Sequence, residues 1–267
     1  MKKFEGVANT LFVPLVARIA ISKEFPEYFY DAKALELEPD LPQGADKGAS
    51  QYTNMASVSR YYNMDKMVAA FAGKYEACNV VYLGAGLETA YDRLHGKNPG
   101  VNWYEVDLPD VIDARQTIFG QRDKETLIGG DMFKLEWVKE VDATLPTLLV
   151  VSGVFQYFHE EEIVVFIKAC GEAFPKGEMI FDATSESGLA FTNWFIKRTG
   201  NKNALMYFGI NDSKTFAEKC GVELLEVKTF YPDALSMLGK RLNLVTRVSM
   251  KVAEKKKQVL ILHLKLN

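Results

Sequence analysis

Four short stretches join an apolar run to glycine or to a carboxylate. The first, Val80-Val81-Tyr82-Leu83-Gly84-Ala85-Gly86-Leu87-Glu88-Thr89, reads as a buried strand, a Gly-x-Gly turn and the start of a helix. Glycines at such a turn let the chain bend sharply and let a ligand approach the backbone, and open α/β sheets bind ligands outside the carboxyl ends of their strands. Gly84 and Gly86 therefore serve either a nucleotide-like ligand or only the turn itself. The third glycine of a dinucleotide fingerprint is missing, since Thr89 stands in its place, and this disfavours NAD. The second stretch, Trp103-Tyr104-Glu105-Val106-Asp107-Leu108-Pro109, ends a strand in acid about twenty residues further on, where a carboxylate can accept hydrogen bonds from ribose hydroxyls. The alternative is that Asp107 only opens the helix that begins near Pro109. In the third, Gly129-Gly130-Asp131-Met132, an acid can take a hydrogen bond from an exocyclic amino group while its apolar neighbour packs on a purine face; a plain turn role for Asp131 is the competing reading. In the fourth, Leu148 to Tyr157, an apolar strand switches to polar residues at Ser152-Gly153.

These stretches need a parallel sheet to bring their ends together. Apolar residues recur at three and four over Val13 to Glu24, Pro26 to Leu37 and Thr53 to Tyr75, which predicts helices, while Glu38 to Ser50 carries two prolines and two glycines and reads as a loop. From Asn79 onward short apolar runs alternate with helical stretches, the pattern of βαβ units. The expected strands are Asn79 to Leu83, Val101 to Val106, Thr126 to Gly129, Thr147 to Ser152, Glu178 to Ala183, Val222 to Tyr231 and Gln258 to Leu266. Helices are expected at Pro109 to Phe119, Glu160 to Phe174 and Ser213 to Cys220, with an insertion at Phe191 to Ile210. The reading is one domain over 1–267, a helical cap over 1–75 on an α/β core over 76–267.

A chain 48% hydrophobic and 25% charged can bury a sizeable core. Its net charge of −3 argues against the broad basic face that binding a phosphate backbone needs, so nucleic acid is not an expected partner. The three cysteines lie far apart without a C-x-x-C spacing, which suggests neither disulfides nor a metal site. The apolar stretch Thr10 to Ile21 holds Pro14 and Arg18 and is read as a packed helix, not a signal peptide; no run approaches the roughly 20 apolar residues that span a bilayer. A cytoplasmic protein with no membrane partner is expected.

Taken in order, Leu83 to Thr89, Glu105 to Pro109 and Ser152 to Tyr157 resemble the L-G-A-G-[LM]-D-T, E-V-D-[LF]-P and E-[GC]-V-L-x-Y motifs of the leucine carboxyl methyltransferase family, which includes polyketide carboxyl methyltransferases. Upstream, Pro14 to Arg18, Asp31 to Ala34 and Arg60 to Asp65 are similar to the family's helical cap and its R-x(4)-[DS] segment. The resemblance spans roughly Leu11 to Phe174. It implies a class I methyltransferase fold, Rossmann-like, with a seven-stranded, mostly parallel sheet, helices on both faces and an antiparallel last strand. It implies S-adenosylmethionine as cofactor, with Arg60 on the methionyl carboxylate, Gly84 beside the methionyl group, Asp107 on the ribose, and Asp131 with Met132 on the adenine; Gly86 and Ser152 are further expected cofactor-binding positions. Two departures stand out: Glu88-Thr89-Ala90 replaces the usual Asp-Thr-Arg, and Ser152 replaces a glutamate that would meet the cofactor's ammonium group. Ser152→Glu is expected to tighten cofactor binding if the pocket keeps the family's shape.

A carboxylate acceptor, ionised at neutral pH with a reference pKa near roughly 4, needs no general base, so orientation becomes the principal catalytic contribution. Among His95, His159 and His263 only His159 lies near a candidate site, and it is read as a surface residue; Tyr157 is a candidate for positioning the substrate or for packing over the strand end. The favoured activity is O-methylation of a small acid. The competing readings are methylation of a protein's C-terminal leucine, a non-catalytic cofactor-binding protein and an NAD-dependent oxidoreductase.

Overall fold

Apolar runs buried on both faces build the centre of the sheet. A computed structural model describes residues 11–190, 193 and 205–266, and in it seven strands form one sheet in the order β3-β2-β1-β4-β5-β7-β6. They are β1 (Cys78–Leu83), β2 (Val101–Asp107), β3 (Glu125–Gly129), β4 (Thr147–Val151), β5 (Gly177–Thr184), β6 (Glu223–Thr229) and β7 (Val259–Lys265). The first five run parallel, and β7 pairs antiparallel with both β5 and β6, as the resemblance implies. Because the order reverses between β1 and β4, the carboxyl ends of β1, β2 and β4 open one crevice.

Among the described residues the helices are α1 (Phe12–Glu24), α2 (Ala32–Glu36), α3 (Gln51–Ala72), α4 (Ala90–Leu94), α5 (Pro109–Phe119), α6 (Glu160–Ala173), α7 (Ser213–Cys220), α8 (Pro232–Leu238) and α9 (Leu244–Lys255). They cover both faces. Val80, Tyr82, Leu148, Val150, Ile180 and Ile261 pack with α1, α3, α4, α8 and α9, while Val81, Leu83, Leu149, Val151, Phe181 and Leu262 pack with α6, α7 and Trp137. Successive residues thus face opposite layers, as a pleated strand requires. A third cluster, Phe12, Leu15, Ile19, Ala34, Leu37 and Leu87, seats the cap on the turn after β1.

Most boundaries shift by one or two residues from the sequence expectation, and the helices around the cap differ most. The helix expected over Pro26 to Leu37 shrinks to α2, because Asp31 takes an extended conformation and its side chain caps the Ala34 N–H at 2.8 Å, so a helix can begin only after it. α3 starts two residues earlier than its apolar period, because Ser50 and Thr53 exchange side chain-to-backbone hydrogen bonds in a capping box, and it ends at Ala72, before Gly73. The short helix α4 carries too few turns to show a period. Of the insertion expected at Phe191 to Ile210, all but Asn193 and 205–210 lies outside the described residues; within that part Asn193 exchanges two hydrogen bonds with the backbone of Met206, at 2.7 and 2.9 Å.

Candidate functional site

The turn after β1 depends on its glycines. Gly84 and Gly86 have φ of +69° and +52°, the left-handed region that a side chain strains. A Cβ on Gly84 would lie 2.5 Å from Val154 Cγ2, and one on Gly86 would lie 2.9 Å from Leu11 Cδ2. The N–H groups of Gly84 and Ala85 donate to the Val106 carbonyl at 2.9 and 3.1 Å. Asp107, the last residue of β2, accepts the Gly86 N–H at 2.7 Å on Oδ2 and the Leu108 N–H at 2.7 Å on Oδ1. Burial raises its pKa, against the pull of those two backbone donors. A carboxylate has roughly four acceptor positions, so two remain for another group.

Arg115 of α5 fixes this turn from below. Fully buried, it donates Nη1 to the Gly86 and Glu88 carbonyls at 2.9 and 3.0 Å and brings Nη2 within 3.3 Å of Glu105 Oε1. Burial pushes the Glu105 carboxyl up to about 8, against the attraction of Arg115.

At the end of β3, Gly130 donates its N–H to the Asp107 carbonyl at 2.8 Å, which sets Asp131 one residue beyond that contact. Asp131 is exposed, and its carboxylate caps a 3-10 turn by accepting the Phe133 N–H at 3.0 Å. Met132 is buried in the core beside Trp137, whose Nε1–H donates to the Met132 carbonyl at 2.8 Å. Both residues therefore have local structural work at the edge of the crevice.

Across the crevice, α3 sends Arg60 to the end of β4. A Cβ on Gly153, whose φ is +73°, would lie 2.8 Å from Arg60 Nη1, so only glycine lets the guanidinium come this close. Asp182, near the end of β5, completes the group: its Oδ1 accepts the Gly153 N–H at 2.5 Å and its Oδ2 lies 3.3 Å from Arg60 Nη1. Two polar atoms here, Arg60 Nε and Ser152 Oγ, are buried without a hydrogen-bond partner. Tyr157, half-buried, ends the 3-10 turn that follows. The structure thus gathers Arg60, Gly84, Gly86, Asp107, Asp131 and Ser152 along one row of strand ends.

Glu88-Thr89-Ala90 has a physical explanation. Arg93, one turn past Ala90, donates to Asp65 at 2.7 and 2.9 Å, to Glu88 at 2.8 Å, to Asp31 at 2.9 Å and to Thr89 at 2.8 Å. Arg18, buried in α1, lies 3.1 Å from Asp31 and donates to the Leu87 carbonyl at 2.5 Å. Burial alone would raise the pKa of Asp31 and of Glu88, but Arg93 and Arg18 outweigh it and hold both carboxyls below their ordinary values. The Tyr61 ring lies under the guanidinium carbons of Arg18, Arg60 and Arg93, at 4.8, 5.2 and 5.7 Å from its centroid, and so ties this cluster to the crevice.

His159 is exposed, its ring 4.8 Å from that of Tyr207. His263 pairs with Glu178 at 2.6 Å near the amino end of β5, far along the strand from the crevice. A cavity of about 440 Å³ opens between the cap, α3 and α4, lined by Tyr28, Asp31, Tyr62, Asp65, Arg93 and Lys97 among others. None of the strand-end residues lines it. No helix among the described residues is long and apolar enough to cross a membrane.

Sequence reasoning missed Asp182, Arg93 and Arg115. Asp182 was detectable as a lone charge closing the apolar run Met179-Ile180-Phe181 at a strand's carboxyl end. The two arginines carry no local signal, because their partners lie on other elements.

Comparison with known proteins bears on the fold and the family. The tetracenomycin polyketide synthesis O-methyltransferase TcmP of Streptomyces glaucescens is 25% identical over 220 residues, 81% of this chain and 80% of that protein. Among solved structures, a candidate methyltransferase of Thermobifida fusca superposes with a TM-score of 0.62 at 16% identity, covering 94% of each chain. A DUF574 family protein of Streptomyces avermitilis gives 0.61 at 15% identity, covering 94% of this chain and 97% of that one. With the sheet order, these likenesses show the class I methyltransferase fold. The family model described as leucine carboxyl methyltransferase matches residues 8–170, more than half of the sequence, and the chain belongs to that family.

Proposed function

We propose that the protein is an S-adenosylmethionine-dependent O-methyltransferase that methylates a carboxylate of a small molecule, with cap and core acting as one unit. The observation that carries this reading is the row of strand ends itself. It sets an arginine and the Gly84–Gly86 turn at one end, Asp107 beside that turn, and Asp131 with Met132 at the other. The similarity to TcmP supports a small-molecule acceptor.

The residues fit the cofactor. Arg60 has a buried Nε without a partner, and its planar fork suits a carboxylate. Gly84 and Gly86 leave backbone in place of side chains beside the methionyl group. Asp107 has acceptor positions left for the ribose hydroxyls, Asp131 keeps an exposed oxygen for the adenine amino group, and Met132 offers an apolar edge to the purine. When bound, S-adenosylmethionine supplies a methyl group on a sulfonium, with a neutral thioether as leaving group. The protein's part is to orient the acceptor oxygen in line with that methyl and to keep water out. Tyr157, in the turn after β4, is the residue we assign to positioning the acceptor.

The test is transfer of labelled methyl from S-adenosylmethionine to a panel of aromatic and aliphatic carboxylic acids and phenols, followed by treatment with base. A methyl ester releases labelled methanol on hydrolysis and an aryl methyl ether does not. Label that stays on the product, or label only on phenols, would contradict the carboxylate assignment.

A further inference from the structure

Asp182 is a carboxylate only 9% exposed at the end of an apolar strand, a costly place for a charge unless it is paired and hydrogen-bonded. Its pairing here is incomplete. Arg60 approaches with one nitrogen, Nη1, at 3.3 Å, longer than the roughly 2.7–2.9 Å and two-pronged geometry of a well-made arginine–carboxylate pair. Arg60 Nε, on the side chain that lies against Gly153, and Ser152 Oγ, one residue before it, are buried without a hydrogen-bond partner, and buried polar groups are normally satisfied. Val151 pairs with Phe181 in the β4–β5 register, so Ser152 and Asp182 come next as neighbours on adjacent strands.

A site holding one cation, one anion and one hydroxyl, none of them fully used, matches a ligand carrying both charges. An anion alone would meet Asp182 unfavourably, and a cation alone would meet Arg60 unfavourably. An α-amino acid group satisfies both, with its carboxylate toward Arg60 and its ammonium toward Asp182. We propose that Asp182 binds the ammonium group of the cofactor's amino-acid end, the charge that Ser152 cannot supply, with Ser152 Oγ as a further acceptor. This rests on S-adenosylmethionine binding at the strand ends, and it alters the expectation for Ser152→Glu. With Asp182 next door, a second carboxylate is repelled rather than useful.

Titration calorimetry tests this with S-adenosylhomocysteine and with 5′-methylthioadenosine, which keeps the adenosine and thioether but lacks the amino-acid end. Asp182→Asn keeps an acceptor for the Gly153 N–H and removes the charge. Its dissociation constant for S-adenosylhomocysteine rises roughly tenfold to a hundredfold, the scale of a hydrogen bond to a charged group, while that for 5′-methylthioadenosine changes by less than about twofold. Ser152→Glu alone does not tighten S-adenosylhomocysteine, whereas Ser152→Glu added to Asp182→Asn restores most of the lost affinity. A purely structural role for Asp182 would weaken both ligands alike and would not be rescued from position 152. Equal changes for the two ligands, no change for S-adenosylhomocysteine, or tightening by Ser152→Glu alone overturns the proposal. If Asp182→Asn is poorly folded, Ser152→Glu alone decides: tightening of S-adenosylhomocysteine overturns the proposal and an unchanged or weaker affinity supports it. A parent protein that binds neither ligand overturns the cofactor assignment itself, a result distinct from failure of Asp182 alone.

Discussion

The Asp107 carboxylate accepts the Gly86 N–H at 2.7 Å, so the acid that closes β2 also shapes the glycine turn after β1. Turn shape and ligand binding therefore converge on one side chain. In the cofactor reading, Asp107→Ala weakens S-adenosylmethionine binding by about 1.5–3 kcal/mol, the range for a hydrogen bond to a charged group. Calorimetry on a variant whose melting curve stays cooperative checks this. An unchanged dissociation constant would leave Asp107 with its turn alone.

Gly84→Ala introduces two separable faults, a side chain at φ +69° and a Cβ 2.5 Å from Val154 Cγ2. Together they cost about 1–3 kcal/mol of stability. Adding Val154→Ala removes the clash but not the backbone strain, so the double variant loses less from the glycine change than the parent does. Denaturant midpoints of the four proteins measure the coupling. Strict additivity would mean that Val154 does not confine Gly84.

Removing Arg93 strands Asp31, Asp65 and Glu88 with too little positive charge. Arg93→Leu is expected to lower unfolding stability by about 3–5 kcal/mol, as when one partner of a buried pair is deleted. Lys66→Ala on the same face, whose Asp233 partner is half exposed, costs under about 1 kcal/mol. Comparable losses in urea titrations would show that the Arg93 cluster is not the cap's anchor.

Glu105 gives a dependence on pH. Burial lifts its folded pKa to about 8, against Arg115, while in the unfolded chain a glutamate titrates near about 4.3. Between those values the folded state holds a proton that the unfolded state has lost, so this group lowers stability as pH rises through that window, by up to about 1.4 kcal/mol per unit. Glu105→Gln has no such proton. Its stability relative to the parent grows from about pH 5 to about pH 8, and urea titrations at three pH values follow the difference. A difference constant with pH would place the Glu105 carboxyl at its ordinary pKa.

What could be read from the residues follows the range over which each signal acts. The strands were legible because burial against two helical layers writes apolar runs into the chain, as at Val80 to Leu83 and Leu148 to Val151. The candidate site was legible where its geometry is local, as at the Gly84–Gly86 turn and its contact with Asp107. Arg60 came only through resemblance to a family, and the residue that lets it approach, Gly153, shows its purpose only once α3 is packed on the sheet. Asp182 and Arg93 act on residues 29 and 62 positions away, at Gly153 and Asp31, and no periodicity encodes such pairings. The start of α2 was misplaced because Asp31 serves a buried charge cluster as well as a cap.

The most direct test is calorimetric titration of the parent, Arg60→Lys and Arg60→Ala with S-adenosylmethionine, and of the parent with NAD. The parent should bind S-adenosylmethionine at one site per chain and give no binding heat with NAD. Arg60→Lys, which keeps the charge but loses the fork, should bind more weakly, and Arg60→Ala more weakly still. Binding of NAD in place of S-adenosylmethionine, or folded Arg60 variants with the parent's affinity, would contradict the account.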